Sequence, residues 1–131
     1  MISTMSKSFV ILWMLFNHVF DDYFLQGCLA NLKQEEYWKK NIPENLYEFY
    51  RDDYLVALLM HSISWSFMIM LPIAFVMSFN VDLVFVVFFF LNVIFHAVVD
   101  DMKANRKTIN LVIDQSIHIF QVLFTCLLLL G

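Results

Sequence analysis

Apolar runs long enough to cross a bilayer recur four times in this chain, and they constrain its fold more than any other feature. They occupy about 9–28, 55–77, 81–100 and 109–130, and each predicts a transmembrane helix. Strands are the rival for the Val/Phe-rich stretch 84–90, but polar and apolar residues do not alternate there. A closed barrel also needs many more strands than 131 residues can supply. The chain is 61% hydrophobic and 15% charged, which excludes disorder and an ordinary soluble domain. A net charge of −4 with no basic face argues against nucleic acid as a partner. The expected fold is all-α: one integral membrane domain over 1–131, a four-transmembrane-helix bundle whose partner is the lipid bilayer.

The connections differ in kind. A short turn around Ser78–Asn80 makes the second and third helices a tight antiparallel hairpin. Residues 31–53 form a charged interfacial segment in which Tyr37, Trp38, Tyr47, Phe49, Tyr50 and Tyr54 read as interfacial anchors. Pro43 divides it into two short surface helices. The third connection, 101–108, carries Lys103, Arg106 and Lys107. Together the first and third connections hold seven of the eight Lys and Arg residues, with Lys7 alone on the other side. The positive-inside rule then places both charged connections in the cytoplasm and both termini outside, in a multi-pass protein of the cytoplasmic (inner) membrane.

Two features near the N-terminal helix invite another interpretation. Lys7, the apolar run and Leu25-Gln26-Gly27-Cys28 faintly resemble a lipoprotein cleavage site. His18, Asp21 and Asp22 sit where such a signal must be apolar, and Gln26 does not suit the motif. Cys28 and Cys126 fall at opposite ends of their helices, too far apart for a disulfide, and are expected to be packing residues.

The informative residues are those a bilayer should exclude. Each expected helix carries one of the four histidines: His18, His61, His96 and His118. Three have an Asp four residues away on the same helical face: His18 with Asp22, His96 with Asp100, and Asp114 with His118. The order reverses in the fourth helix, as the chain direction does, so every Asp lies nearer the cytoplasm than its His. His61 falls at a similar depth, and the set converges on one level.

A charge at mid-span costs at least about 2.5–3.5 kcal/mol, so such groups face inward, pair, and usually mark function. Three carboxylates brought together repel one another unless a cation compensates. Four imidazoles and three carboxylates, with Gln26, Gln115 and Asn17 nearby, suit one or two divalent ions, and the mixed donors favour zinc, manganese or iron. His18, His61, His96, Asp100, Asp114 and His118 are the candidate ligands, with Asp22 a further ligand or the general base. Lys103, one turn past Asp100, is the candidate for binding an anionic group at the mouth.

Taken singly, each of these residues has a plainer explanation. A lone His in a membrane helix is more often a hydrogen-bonded packing group than a ligand, and Asp22 and Asp100 lie close enough to helix ends to reach headgroups. Alignment of the whole set is what favours a site. Asp21 and Asp101 read as solvated helix ends, and Asp82 as the cap of the third helix. Pro72 disturbs the turn that includes Met68. Trp13, Trp65 and Phe88–Phe90 read as packing or lipid-facing residues.

These motifs resemble a family of small, uncharacterised integral membrane proteins of bacteria and bacteriophages, classed as a domain of unknown function. Its pattern of H-x3-D-x3-Q, a second-helix His, H-x3-D-x2-K and D-Q-x2-H is matched here by His18/Asp22/Gln26, His61, His96/Asp100/Lys103 and Asp114/Gln115/His118. The match covers nearly the whole chain; the long charged first connection departs from the pattern. There is also a distant similarity to membrane-bound metal-dependent hydrolases.

Three functions follow as expectations. The first is a metal-dependent hydrolase at the cytoplasmic face, acting on a lipid-linked or amphiphilic phosphoester. The second is proton- or metal-coupled transport, which with four short helices requires a homo-oligomer. The third is a non-catalytic membrane scaffold, for instance a phage protein that alters its host.

Overall fold

The structure, a computed structural model, describes residues 5–131. Helix α1 (Lys7–Phe20) runs directly into a π-helical turn (Asp21–Leu25), followed by α2 (Leu29–Leu32), α3 (Glu35–Asn41) and α4 (Glu44–Tyr50). Then come the long helices α5 (Asp53–Val76), α6 (Leu83–Ala104) and α7 (Leu111–Leu130), and there is no strand among the described residues. Helices α5, α6 and α7 are each long and apolar enough to cross a membrane. Helix α1 has 14 residues and falls short as an α-helix, because the backbone widens into the π turn where the expected first span was to continue.

Cross-contacts fix the packing directions. The Lys7 ammonium reaches the Gly131 carbonyl, Ser64 meets Asp21, His61 meets His96, and Lys103 meets Asp114. Helices α1 and α6 therefore run one way and α5 and α7 the other. The turn between α5 and α6 closes with Ser78 and Phe79 in left-handed backbone, φ 54° and 59°. Asp82 caps α6 as expected, its carboxylate accepting from the Phe85 N–H at 2.9 Å. Asn110 does the same for α7 through Ile113 at 3.0 Å.

The bundle interior is largely divided by chemistry, with one buried polar patch, Asn92, Gln121 and Thr125, set into the apolar half. Val10, Met14, Trp65, Ile69, Met70, Ile73, Val122 and Cys126 form an apolar core in the half that holds the start of α1. The other half buries His18, Asp21, Asp22, His61, His96, Asp100, Asp114 and His118. Asn17 lies at the join and resolves a backbone problem there. Pro72 has no N–H, so the Met68 carbonyl loses its helical partner, and the Asn17 side-chain amide donates to that carbonyl at 2.7 Å. Asn17→Ala is expected to cost about 1–3 kcal/mol by leaving the carbonyl buried and unpaired. The cost should shrink in a Pro72→Ala background, where the helix supplies its own donor; a double-mutant cycle on denaturation in detergent measures this.

Pro43 does separate two short helices, α3 and α4. Their aromatic residues stack on one another, Trp38 against Tyr50 at 6.1 Å, while Phe49 stays exposed. The Lys39 ammonium and the Tyr47 hydroxyl bind Glu35 at 2.8 and 3.1 Å. The hydrogen bond from Lys39 chiefly holds that carboxyl below its ordinary range. Cys28 is exposed rather than packed, because it falls in the turn after the π segment; Cys126 is buried, and both are free thiols.

Candidate metal centre

The polar half is built by four helical segments, each presenting its ionisable residues inward. The π turn matters most for the first. Its register, with the Gln26 N–H bonded to the Asp21 carbonyl at 3.0 Å, lets the consecutive Asp21 and Asp22 both point into the bundle. Such single turns recur at functional sites. Asp21 was expected to be a solvated helix end. It is instead completely buried, accepting from the Ser64 hydroxyl at 2.6 Å and lying 3.7 Å from His61 Nδ1. Asp101 stays near the surface and pairs with Arg106 at 2.9 Å.

Two groups of potential ligands result. Asp22, His61 and His96 bring one ligand atom each within 4.8 Å of one another, and so do Asp100, Asp114 and His118; all six residues are buried. Either group could hold a metal ion. His61 Nε2 is the hub of the first. It lies 3.3 Å from His96 Nε2, 3.4 Å from Asp22 Oδ1 and 3.6 Å from Asp100 Oδ2. Ligands bound tetrahedrally at about 2.0–2.1 Å stand about 3.3 Å apart, so these spacings are those of atoms sharing one ion. Two imidazole nitrogens facing each other at this distance need a shared proton or a shared cation between them. Asp21 lies behind the His61 ring on the side where a carboxylate can orient a ligand imidazole, its Oδ1 3.7 Å from Nδ1 without a hydrogen bond between them.

The second group is held differently. His118 Nε2 is 3.2 Å from Asp114 Oδ1, but the two are not aligned as a hydrogen bond, and both atoms are buried without a partner. His96 Nδ1 and His118 Nδ1 are also unpartnered. The His96 and His118 rings pack with centroids 4.1 Å apart, and Trp65 stacks on His96 at 4.1 Å. Gln115 spans the two groups, its amide donating to Asp114 at 2.9 Å and Asp22 at 3.3 Å. Gln26 donates to the Asp22 backbone carbonyl, while its own side-chain oxygen is buried without a partner.

His18 stands beside both groups rather than in either. Its Nδ1 accepts a hydrogen bond from the Trp65 indole at 2.9 Å, which occupies the lone pair facing Asp22. Trp65, expected to be a packing or lipid-facing residue, thus sits at the centre of the imidazole cluster and sets the tautomer of His18. Sequence reasoning missed Lys33. This lysine leaves the connection after α2, where Asn105 clamps the chain by donating to the Lys33 carbonyl at 3.1 Å and accepting from the Glu35 N–H at 2.8 Å. Its ammonium reaches Asp100 at 2.6 Å with both side chains buried, 7% and 2% exposed. Lys103 pairs with Asp114 at 2.9 Å and lies 3.5 Å from Asp100.

Both lysines form the wall between this cluster and an open cavity of about 500 Å³, which Gln26, Gln34 and Lys107 also line. The donor set, buried imidazole and carboxylate with unpartnered acceptor atoms, could hold a metal ion. No known protein-family model, curated protein or solved structure matches the chain.

Proposed function

We propose that this protein is a metal-dependent membrane hydrolase whose buried centre opens toward the cytoplasm and acts on amphiphilic phosphoesters. The convergence of Asp22, His61 and His96 at metal-ligand spacing, beside a lysine-lined cavity, carries this conclusion. Zinc, manganese or iron suits the ligand set. When bound, the ion supplies an acidified water and polarises the ester. The protein's own groups do the rest. His118, backed by Asp114, is placed to take the proton of the attacking water. Lys103 and Lys33 have N–H groups left over for the phosphate oxygens. Water oxygen bonds to phosphorus as the phosphorus–ester-oxygen bond breaks, and the departing oxygen takes the proton that His118 accepted from the water.

Topology supports a membrane substrate. Helices α5 to α7 are of spanning length, and α1 with its π turn extends roughly 27 Å at about 1.5 Å per residue. That nearly matches a hydrocarbon core of about 30 Å, so we read four spans. Lys and Arg concentrate at the end where the cavity opens, and by the positive-inside rule we read that end as cytoplasmic and both termini as outside. Exposed Phe49 and the other aromatic residues of α3 and α4 serve as an interfacial anchor there. The distant similarity to membrane-bound metal-dependent hydrolases points the same way. Against transport stands the apolar core, with Met14, Ile69, Ile73 and Val122 fully buried in the far half of the bundle; the one polar patch beside them, Asn92, Gln121 and Thr125, is closed on itself by hydrogen bonds.

The test is phosphate release from phosphate-ester lipids in mixed micelles, with and without chelator. Chelation is expected to abolish release and added zinc or manganese to restore it, while His118→Ala lowers the rate by about 100-fold or more. Undiminished turnover by the chelated protein would exclude a metal-dependent reaction, and no turnover together with His118-dependent uptake into liposomes would favour transport in its place.

A further inference from the structure

The charge balance of the buried cluster reaches beyond the presence of a metal to the number of ions. Four carboxylates enter it: Asp21, Asp22, Asp100 and Asp114. They divide unequally between the two ammonium groups that reach them. Asp100 accepts from Lys33 at 2.6 Å and Asp114 from Lys103 at 2.9 Å, with Lys103 also 3.5 Å from Asp100. Asp21 and Asp22 have hydrogen-bond donors from Ser64 and Gln115 but no lysine or arginine within ion-pair distance. Lys107 and Arg106, the other basic residues of the connection between α6 and α7, are committed to Glu36 and Asp101 at the surface.

We propose that the centre is mononuclear: one divalent ion sits among Asp22, His61 and His96, and the ammonium groups of Lys33 and Lys103 take the place of a second ion beside Asp100, Asp114 and His118. This rests on the metal-centre interpretation above. A single divalent ion leaves the four carboxylates and two ammonium groups neutral as a set. A second ion would leave two uncompensated positive charges in a low-dielectric interior, where isolated charge is strongly disfavoured. Geometry agrees with the charge count. Asp100 Oδ2 and Asp114 Oδ2 already face a lysine nitrogen at 2.6 and 2.9 Å, so an ion taking either oxygen must displace an ammonium group, and one held by the unpartnered Asp114 Oδ1 and His118 would still lie beside the Lys103 charge. The first group has no such occupant, and its nitrogen–nitrogen and nitrogen–oxygen spacings of 3.3 and 3.4 Å already suit coordination. His118, freed from ligation, keeps an unpartnered ring nitrogen for proton transfer.

The measurement is metal stoichiometry by elemental analysis of protein saturated with zinc in detergent and then desalted. The native sequence is expected to retain one equivalent. His118→Ala should still retain one, since the residue lies outside the occupied group, and Asp22→Asn should retain less than a tenth of an equivalent. Lys33→Met with Lys103→Met, purified with zinc present, should rise to two equivalents as the vacated carboxylates accept an ion. Two equivalents in the native protein would overturn the mononuclear assignment while leaving the metal-centre interpretation intact. Loss of metal in His118→Ala would also overturn it, as would a folded lysine double variant that stays at one. No metal in the native protein would instead overturn the metal centre itself.

Discussion

Lys33→Met is expected to destabilise the metal-free protein by about 3–5 kcal/mol, the cost of leaving one partner of a buried ion pair uncompensated. Asp100 has only 2% of its side chain exposed and its Lys33 contact is 2.6 Å, so water cannot replace the ammonium without opening the bundle. Lys103 is a weaker substitute at 3.5 Å from Asp100, engaged mainly with Asp114. The companion change Asp100→Asn should recover part of the loss in the Lys33→Met background, because it removes the orphaned charge. Denaturation midpoints of the four proteins in one detergent provide the comparison. A loss below about 1 kcal/mol for Lys33→Met would mean that the pair is solvated, like the surface pairs of α3 and α4.

His61→Ala is expected to weaken zinc affinity by more than about 100-fold, beyond the range for residues that only orient ligands. Its Nε2 is the atom common to the spacings from 3.3 to 3.6 Å that reach His96, Asp22 and Asp100. Removing it takes away a candidate ligand and releases the facing His96 nitrogen together. Asp21→Asn, by contrast, should weaken affinity within about 10–100-fold, since it alters only the group behind the His61 ring. Competition with a chromophoric chelator reads both. Equal effects for the two variants would show that His61 is not a ligand.

Much of this architecture was legible because membrane helices announce themselves by uninterrupted hydropathy, as α5, α6 and α7 do. The i,i+4 pairing of His18 with Asp22, His96 with Asp100 and Asp114 with His118 implies inward faces, and all six residues are buried. What escaped depends on backbone register and on distant partners. The Asp21-Asp22 doublet looks like a hydrophilic helix end in sequence, and only the π turn directs both residues inward. Lys33 looks like one more basic residue of a charged connection, and its partner Asp100 is 67 positions away. The separation into two ligand groups turns on side-chain placement, with Trp65 binding His18 and the lysines claiming Asp100 and Asp114. No spacing rule encodes those choices.

The most direct test of the metal centre is X-ray absorption at the zinc edge of reloaded protein. A first layer of nitrogen and oxygen at about 2.0–2.1 Å, with the outer scattering of two imidazoles, is the predicted result. It should lose one imidazole in His96→Ala. An all-oxygen first layer, or a spectrum unchanged by that substitution, would contradict the centre described here.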